Sequence, residues 1–387
     1  MALYESMFEI VSNALFGGNV LEETRQALKQ DGAMKELYKL SAKHDIVHLV
    51  GYGLQKSDLL QDPIAKNAFD KAQFVAVYRY ENIKHELDAI FPLFEQEGID
   101  CIVLKGSAIR KYYTEPWLRT SCDIDLLIKE EDCDRAIKSL SEKLGYRYEG
   151  KLSHDHQLYS PSNVHLELHF MLIEEDTVLK SEKLLENVWD YIVPMGEYNH
   201  IFEMNDEMFY YYHMVHMAKH LIFGGCGIKP FIDMIILNQN VQYGDSAYQL
   251  LKDGGLDKFE TSSYKLAKVW FLGEKGDGST ERLGEFVISG GVYGNVENRV
   301  ASNQSENGGV LGYMIHRIFV PYKVLVIRYP GLENRKLLMP FYQIRRWFDL
   351  LFGGRAKYSF NELKINKIIS KKEVDSVNNM IDELGLR

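Results

Sequence analysis

Between Leu104 and Ile128 an apolar run ends in Gly106-Ser107, and a second apolar run then opens with Asp123-Ile124-Asp125. Residues two apart on a strand emerge on the same face, so Asp123 and Asp125 point one way while Ile124 and Leu126 point into a core. The apolar runs read as strands of a sheet domain, with two carboxylates at the mouth of the second. The run Ile99 to Leu104 is the neighbouring strand, and Gly106-Ser107 begins a short helix through Ala108, Ile109 and Tyr112.

Hydrophobic period divides the rest. Residues 1–98 read as helical, with Ile83, Leu87, Ile90, Phe91 and Phe94 forming one stripe that Gly98 closes. Residues 99–200 alternate short strands with a helix marked by Cys133, Ala136, Ile137, Leu140 and Leu144 and ended by Gly145. Further strands are expected at Tyr146–Tyr148, His156–Tyr159 and Val164–Phe170. Residues 201–387 read as mostly helical, interrupted by a Gly-rich polar loop or lid at 273–309. In this region PFYQIRRWFDLLF reads as a core-packing helix with two exposed arginines. A membrane surface or partner is the other reading of that amphipathic segment. The fold class is therefore α+β: a mixed sheet core flanked by N-terminal helices and a helical C-terminal domain.

With 387 residues, 46% of them hydrophobic, the chain can bury a large core. A net charge of −10 disfavours a general nucleic-acid binder. The four cysteines, Cys101, Cys122, Cys133 and Cys226, match no zinc or disulfide framework, and the acidic N-terminus lacks a secretory pattern. No segment reaches the roughly 20 apolar residues of a spanning helix. A cytoplasmic location is expected.

Two adjacent carboxylates suit a hard divalent cation such as Mg2+, which takes one or two of them and completes its shell with water and phosphate oxygens. An Asp-x-Asp pair by itself is equally a solvated turn. The Gly106-Ser107 turn adds close approach for a phosphate and free backbone N–H groups at a helix start. A third acid lies in Val164-His165-Leu166-Glu167-Leu168-His169, where alternation puts His165, Glu167 and His169 on one side. Glu167 either completes the metal site or takes a proton from an attacking hydroxyl, and His169 orients a ligand or donates to phosphate. The plain alternative is the polar face of a half-exposed strand. Downstream, His213, His216 and His220 share a helix face, either packed with satisfied imidazoles or binding zinc. Lys229 is placed to meet phosphate, and His220 to pair with Asp233.

The strings LKGSAIRKYY, LRTSCDIDLLI and HLELHF resemble the nucleotidyltransferase family of the DNA polymerase β superfamily, particularly a bacterial branch of it. The segments HMVHMAKHLIFGGCGIKPFIDM and RIFVPYKVLVIRYPGLENRKLLMPFYQIRRWF resemble that branch's helical C-terminal half. The resemblance implies a polymerase-β-like core in which Gly106 and Ser107 grip a triphosphate, Asp123 and Asp125 bind Mg2+ or Mn2+, and Glu167 is the third carboxylate. Lys105 and Arg119 stand beside these motifs in the branch as well. Arg119 is the better phosphate ligand, since a guanidinium pairs bidentately, while Lys105 could simply end the strand. The chain departs from the compact members in the longer interval from Ser107 to Asp123 and in having Glu rather than Asp as third acid.

The resulting expectation is metal-dependent transfer of a nucleoside monophosphate from an NTP, with ATP the expected donor, to an unidentified hydroxyl acceptor, a small molecule or a protein. Asp125→Asn is expected to abolish transfer and leave the fold intact. A nucleotide- or metal-binding sensor or scaffold of the same fold is the first rival, and a metal-dependent hydrolase using His165, Glu167 and His169 the second.

Overall fold

The structure is a computed structural model. It describes residues 3–173, 180–241, 243–292, 294–306, 309–322, 325–326, 329–332, 334–352, 362 and 364–386. The N-terminal part is helical: α1 (Leu3–Phe16), α2 (Glu22–Leu28), α3 (Ala33–Lys43), α4 (Val47–Lys56) and the long α5 (Pro63–Glu97). Local signals set both ends of α5. The Asp62 carboxylate accepts from the Ala65 N–H, Pro63 stands in the first turn, and Gly98 ends the helix at φ 64°, a left-handed conformation that costs glycine little. Ile83, Ile90, Phe91 and Phe94 of the expected stripe are buried, and Leu87 packs against them.

The sheet holds β1 (Cys101–Val103), β2 (Asp123–Ile128), β3 (Arg147–Lys151), β4 (Asp155–Tyr159), β5 (His165–His169), β6 (Ile192–Pro194) and β7 (Ile201–Met204). Their spatial order is β3-β4-β5-β2-β1-β7-β6. Pairing of β2 with β5 and of β1 with β7 is parallel, and the other ladders are antiparallel, so the molecule is mixed α/β with one seven-stranded mixed sheet. Strand β2 sits at the middle, which explains its uninterrupted burial after Asp123. Between β1 and β2 run the short α6 (Lys105–Ile109) and two 3-10 turns, Arg110–Tyr112 and Pro116–Leu118; α7 (Cys133–Leu144) follows β2 and closes at Gly145.

After the sheet come α8 (Asp206–Ile222), capped by the Asn205 side chain, then α9 (Lys229–Asn240), α10 (Asp245–Asp253) and α11 (Asp257–Leu272). The interval 273–309, expected as a loop or lid, instead carries α12 (Gly278–Gly290) and α13 (Val296–Glu306). Asp277 and Thr280 form a reciprocal capping box that starts α12. Two of the glycines serve contact: a side chain at Gly290 or Gly294 would press on the Gly224-Gly225 backbone, and Gly294 also takes a left-handed φ of 69°. Asn307 and Gly308, within the same interval, lie outside the described residues.

Then follow α14 (Val310–Ile318), α15 (Met339–Phe352) and α16 (Lys371–Glu383). On α15 the expectation of two exposed arginines fails at one of them. Arg346 is buried and donates to the carbonyls of Arg317 and Ile318, whereas Phe341 and Phe348 are exposed. One hydrophobic cluster joins the sheet to the helices from α1 to α12 and to Met380, Ile381 and Leu384. Among the described residues no helix is long and apolar enough to cross a membrane.

Candidate active site

Register places the acids. Strand β2 pairs with β5 so that Asp123 faces His165, Asp125 faces Glu167 and Leu127 faces His169. Strand β4 adds Asp155 opposite His169 and Gln157 opposite Glu167. Cross-strand partners share a face, so Asp123, Asp125, His165, Glu167, His169, Asp155 and Gln157 all emerge from one side of the sheet. The other side carries the buried Ile124, Leu126, Leu166, Leu168 and Leu158. Potential ligand atoms of Asp123, His165 and Glu167 lie within 4.8 Å of one another, as do those of Asp125, Glu167 and His169.

Lys105 enters this cluster from the turn after β1. It takes φ 44°, a left-handed conformation that is strained for a lysine, and its ammonium lies 2.6 Å from Asp125 Oδ1. His169 Nε2 lies 3.1 Å from the same oxygen and 3.5 Å from Glu167 Oε2. Burial pushes the Asp125 carboxyl up, but Lys105 and His169 outweigh it and hold Asp125 well below the usual carboxylate range. At Asp123 the pull of Lys105 and His165 is outweighed. Burial, reinforced by the charges of Asp125 and Glu167, pushes its carboxyl above the usual value. Asp125→Asn, expected from the sequence to leave the fold intact, would remove the charge that the largely buried Lys105 ammonium pairs with.

The turn itself is stapled to β2. Arg110 Nε donates to the Gly106 carbonyl at 3.0 Å and Nη2 to Ser121 Oγ at 2.8 Å, and Ser121 Oγ donates to the Asp123 carbonyl at 3.1 Å. A Cβ at position 106 would stand 3.1 Å from Ser121 Cβ, so glycine is what allows the turn to lie this close to the acidic strand. Ser107 Oγ is buried and makes no hydrogen bond. Helix α8 packs nearby: Tyr212 acts electrostatically on Lys105, and Lys105 and Asp125 act on His216, whose imidazole is held far below its usual value by burial and then by His220.

Two expected phosphate contacts are committed elsewhere. Arg119 directs Nε and Nη2 at both oxygens of Asp233 (2.8–3.0 Å) and Nη1 at the Thr120 carbonyl; Tyr113 Oη donates to Asp233 at 2.6 Å. Lys229 pairs with Asp45 and donates to Thr120 Oγ1 at 3.3 Å. These bonds, with His48 Nε2 on the Leu118 carbonyl, tie the long 107–123 connection to α9 and the N-terminal helices. His220 meets His216 at 3.1 Å rather than Asp233, and His213 meets the Pro230 carbonyl. Periodicity carried Asp123, Asp125, Glu167 and His169; the Arg110-Ser121 staple, Asp155 and the approach of α8 depend on pairings with no local sequence signal.

The fold is thus mixed α/β, with carboxylates clustered on one face of the sheet beside a glycine-bearing turn. The sequence matches the family described as uncharacterised nucleotidyltransferase over residues 30–272, well over half the chain, and the protein belongs to that family. The match runs from just before α3 to the end of α11, so it takes in α3 to α5 as well as the sheet and leaves out α1 and α2. No curated protein matches the chain.

Proposed function

We propose that this protein moves a nucleoside monophosphate from an NTP, with ATP the first candidate, to a hydroxyl acceptor, releasing pyrophosphate from a polymerase-β-like site. The observation that carries this reading is the cross-strand meeting of Asp123 and Asp125 with Glu167, in which Asp123 is burdened by its neighbours' charge. Hard oxygen donors under mutual repulsion suit Mg2+ or Mn2+. Asp123, Asp125 and Glu167 would hold the ion, whose chemistry is to neutralise charge on the phosphate and on the attacking and leaving oxygens.

The chain's own groups do the rest. The backbone of Gly106 and the unpaired hydroxyl of Ser107 face the triphosphate, with the Lys105 ammonium supplying positive charge beside it. Glu167, a fifth exposed, takes the proton of the acceptor hydroxyl. His169 donates from Nε2 and keeps Asp125 oriented. Arg119 and Lys229 position the connection between the turn and the acidic strand through their buried ion pairs.

Incubation with each α-labelled NTP, Mg2+ and a cell extract is expected to put label on an acceptor and release pyrophosphate. Glu167→Gln is expected to lower the rate by about 10²–10⁴-fold, the usual range for a lost general base. NTP binding without label transfer or pyrophosphate release across a broad acceptor screen would sink the transferase reading and leave a nucleotide sensor. Gly106→Ala is expected to cost about tenfold in kcat/KM, since displacing the turn from Ser121 misplaces the phosphate. An unchanged value would free the turn from that role.

A further inference from the structure

Beside the carboxylate cluster lies a second group of different donor chemistry. His154, just before β4, together with Asp155 and His169, offers one potential ligand atom each, all within 4.8 Å of one another. We infer that these three residues bind a transition-metal ion of the Zn2+ class at a site separate from the carboxylate site proposed for Mg2+.

Three observations converge. First, Asp155 Oδ1 and His169 Nδ1 are buried and make no hydrogen bond, although their residues are only 2% and 4% exposed. Buried polar atoms are normally satisfied, so two orphans in one cluster call for a shared partner. Second, the spacing suits an ion better than a direct bond: two ligands held at about 2.1 Å on a tetrahedral ion stand roughly 3.4 Å apart. One ligand atom from each of His154, Asp155 and His169 lies within 4.8 Å of the other two, His154 Nε2 is 3.8 Å from the Gln157-bound oxygen of Asp155, and the two imidazole centroids are 5.4 Å apart.

Third, each histidine has its other ring nitrogen held. His169 Nε2 faces the Asp125 carboxylate at 3.1 Å, and His154 Nδ1 meets Ser153 Oγ at 2.9 Å. Metal-bound histidines nearly always show this arrangement, the far nitrogen donating to a carboxylate, carbonyl or hydroxyl that fixes the tautomer. Gln157 Nε2 donates to Asp155 Oδ2 at 2.8 Å and fixes the carboxylate in the same way.

Two imidazoles and one carboxylate favour Zn2+ or a neighbouring transition ion over Mg2+. Three protein ligands leave a fourth position open. Local charge agrees: Asp123, Asp125, Glu167 and Asp155 crowd one sheet face, with Lys105 paired to Asp125. With an ion on Nδ1, the proton of His169 is confined to Nε2, aimed at Asp125 and Glu167, so the second site locks the orientation of the first.

The test uses the full-length protein, stripped with chelator and titrated with Zn2+ and, in parallel, Co2+ in a large excess of Mg2+, without nucleotide. One equivalent is expected to bind, with the intense visible spectrum of low-coordinate Co2+. His154→Ala and Asp155→Asn are each expected to weaken it at least about tenfold, while Asp123→Asn leaves it in place. The wild-type titration needs no variant: absence of stoichiometric Zn2+ binding overturns the site. So does binding that Asp123→Asn abolishes and His154→Ala leaves untouched, which would assign the ion to the carboxylate cluster. Because no nucleotide is present, failure here is distinguishable from failure of the transferase reading.

Discussion

Asp123→Asn is expected to reduce nucleotidyl transfer about 10³-fold or more, some 4 kcal/mol of transition-state stabilisation, while the folded state holds or gains stability. The two halves of this expectation come from the same geometry. Asp123 has a carboxylate neighbour on its own strand and another across the ladder, and none of its bonds is an ion pair with Lys105. Burial and those charges raise its folded pKa above the unfolded value, so ionised Asp123 strains the folded protein at neutral pH without metal. A carboxyl with a raised folded pKa destabilises above that pKa and ceases to do so once protonated. The wild type should therefore recover this stability as pH falls through the raised value, and Asp123→Asn should lack the recovery. Label transfer and denaturant unfolding, run with chelator at several pH values, decide it. A variant several degrees less stable in chelator would mean Asp123 supports the fold, removing the charge-repulsion argument for a metal there.

Asp125 behaves oppositely, which is why the two aspartates, equivalent in sequence, are not equivalent in the molecule. Its carboxyl is depressed by Lys105 and His169, so it stabilises above the ordinary carboxylate pKa and that contribution is lost on acidification. Nothing in Asp-Ile-Asp says which member meets a lysine. That follows from Lys105 at the turn, whose left-handed backbone aims its side chain back across β2.

Much of the frame was legible because it rests on short-range rules. Strand β2 and helix α7 with Gly145 have the boundaries their periodicity and capping residues predict, and α5 ends at Gly98 as expected, although its start at Pro63 was not foreseen. Asp123, Asp125, Glu167 and His169 share a face because a period of two leaves no other choice once β2 and β5 are neighbours. Strands β6 and β7 were missed: at three and four residues they carry almost no pattern, and β7 exists as a strand through its pairings with β1 and β6. Helices α12 and α13 were hidden by glycines, of which Gly290 and Gly294 let a neighbouring backbone approach. The pairing of Arg119 with Asp233 was not legible, since the two stand 114 residues apart and charge complementarity over that separation has no signature in one sequence.

That partner gives the sharpest stability prediction. Asp233 is fully buried and Arg119 nearly so, with Tyr113 donating to the same carboxylate. Removing one member of a buried pair leaves the other charge uncompensated, so Asp233→Asn is expected to cost about 3–5 kcal/mol in denaturant unfolding. Arg119→Met combined with Asp233→Leu should recover most of that loss, because replacing both charges removes the desolvation penalty along with the attraction. The Asp233 carboxyl is pushed up by burial but brought below its ordinary value chiefly by Arg119. The pair's contribution is therefore complete at neutral pH and declines on acidification below the unfolded carboxylate value, and Asp233→Asn should flatten that part of the pH profile. The same variant separates the two roles open to Arg119. If the guanidinium only braces the connection from Tyr113 to Thr120, Asp233→Asn lowers stability and kcat together with little change in the KM for NTP. If the freed guanidinium instead tightens NTP binding with stability unchanged, Arg119 is a phosphate ligand and the bracing role is wrong.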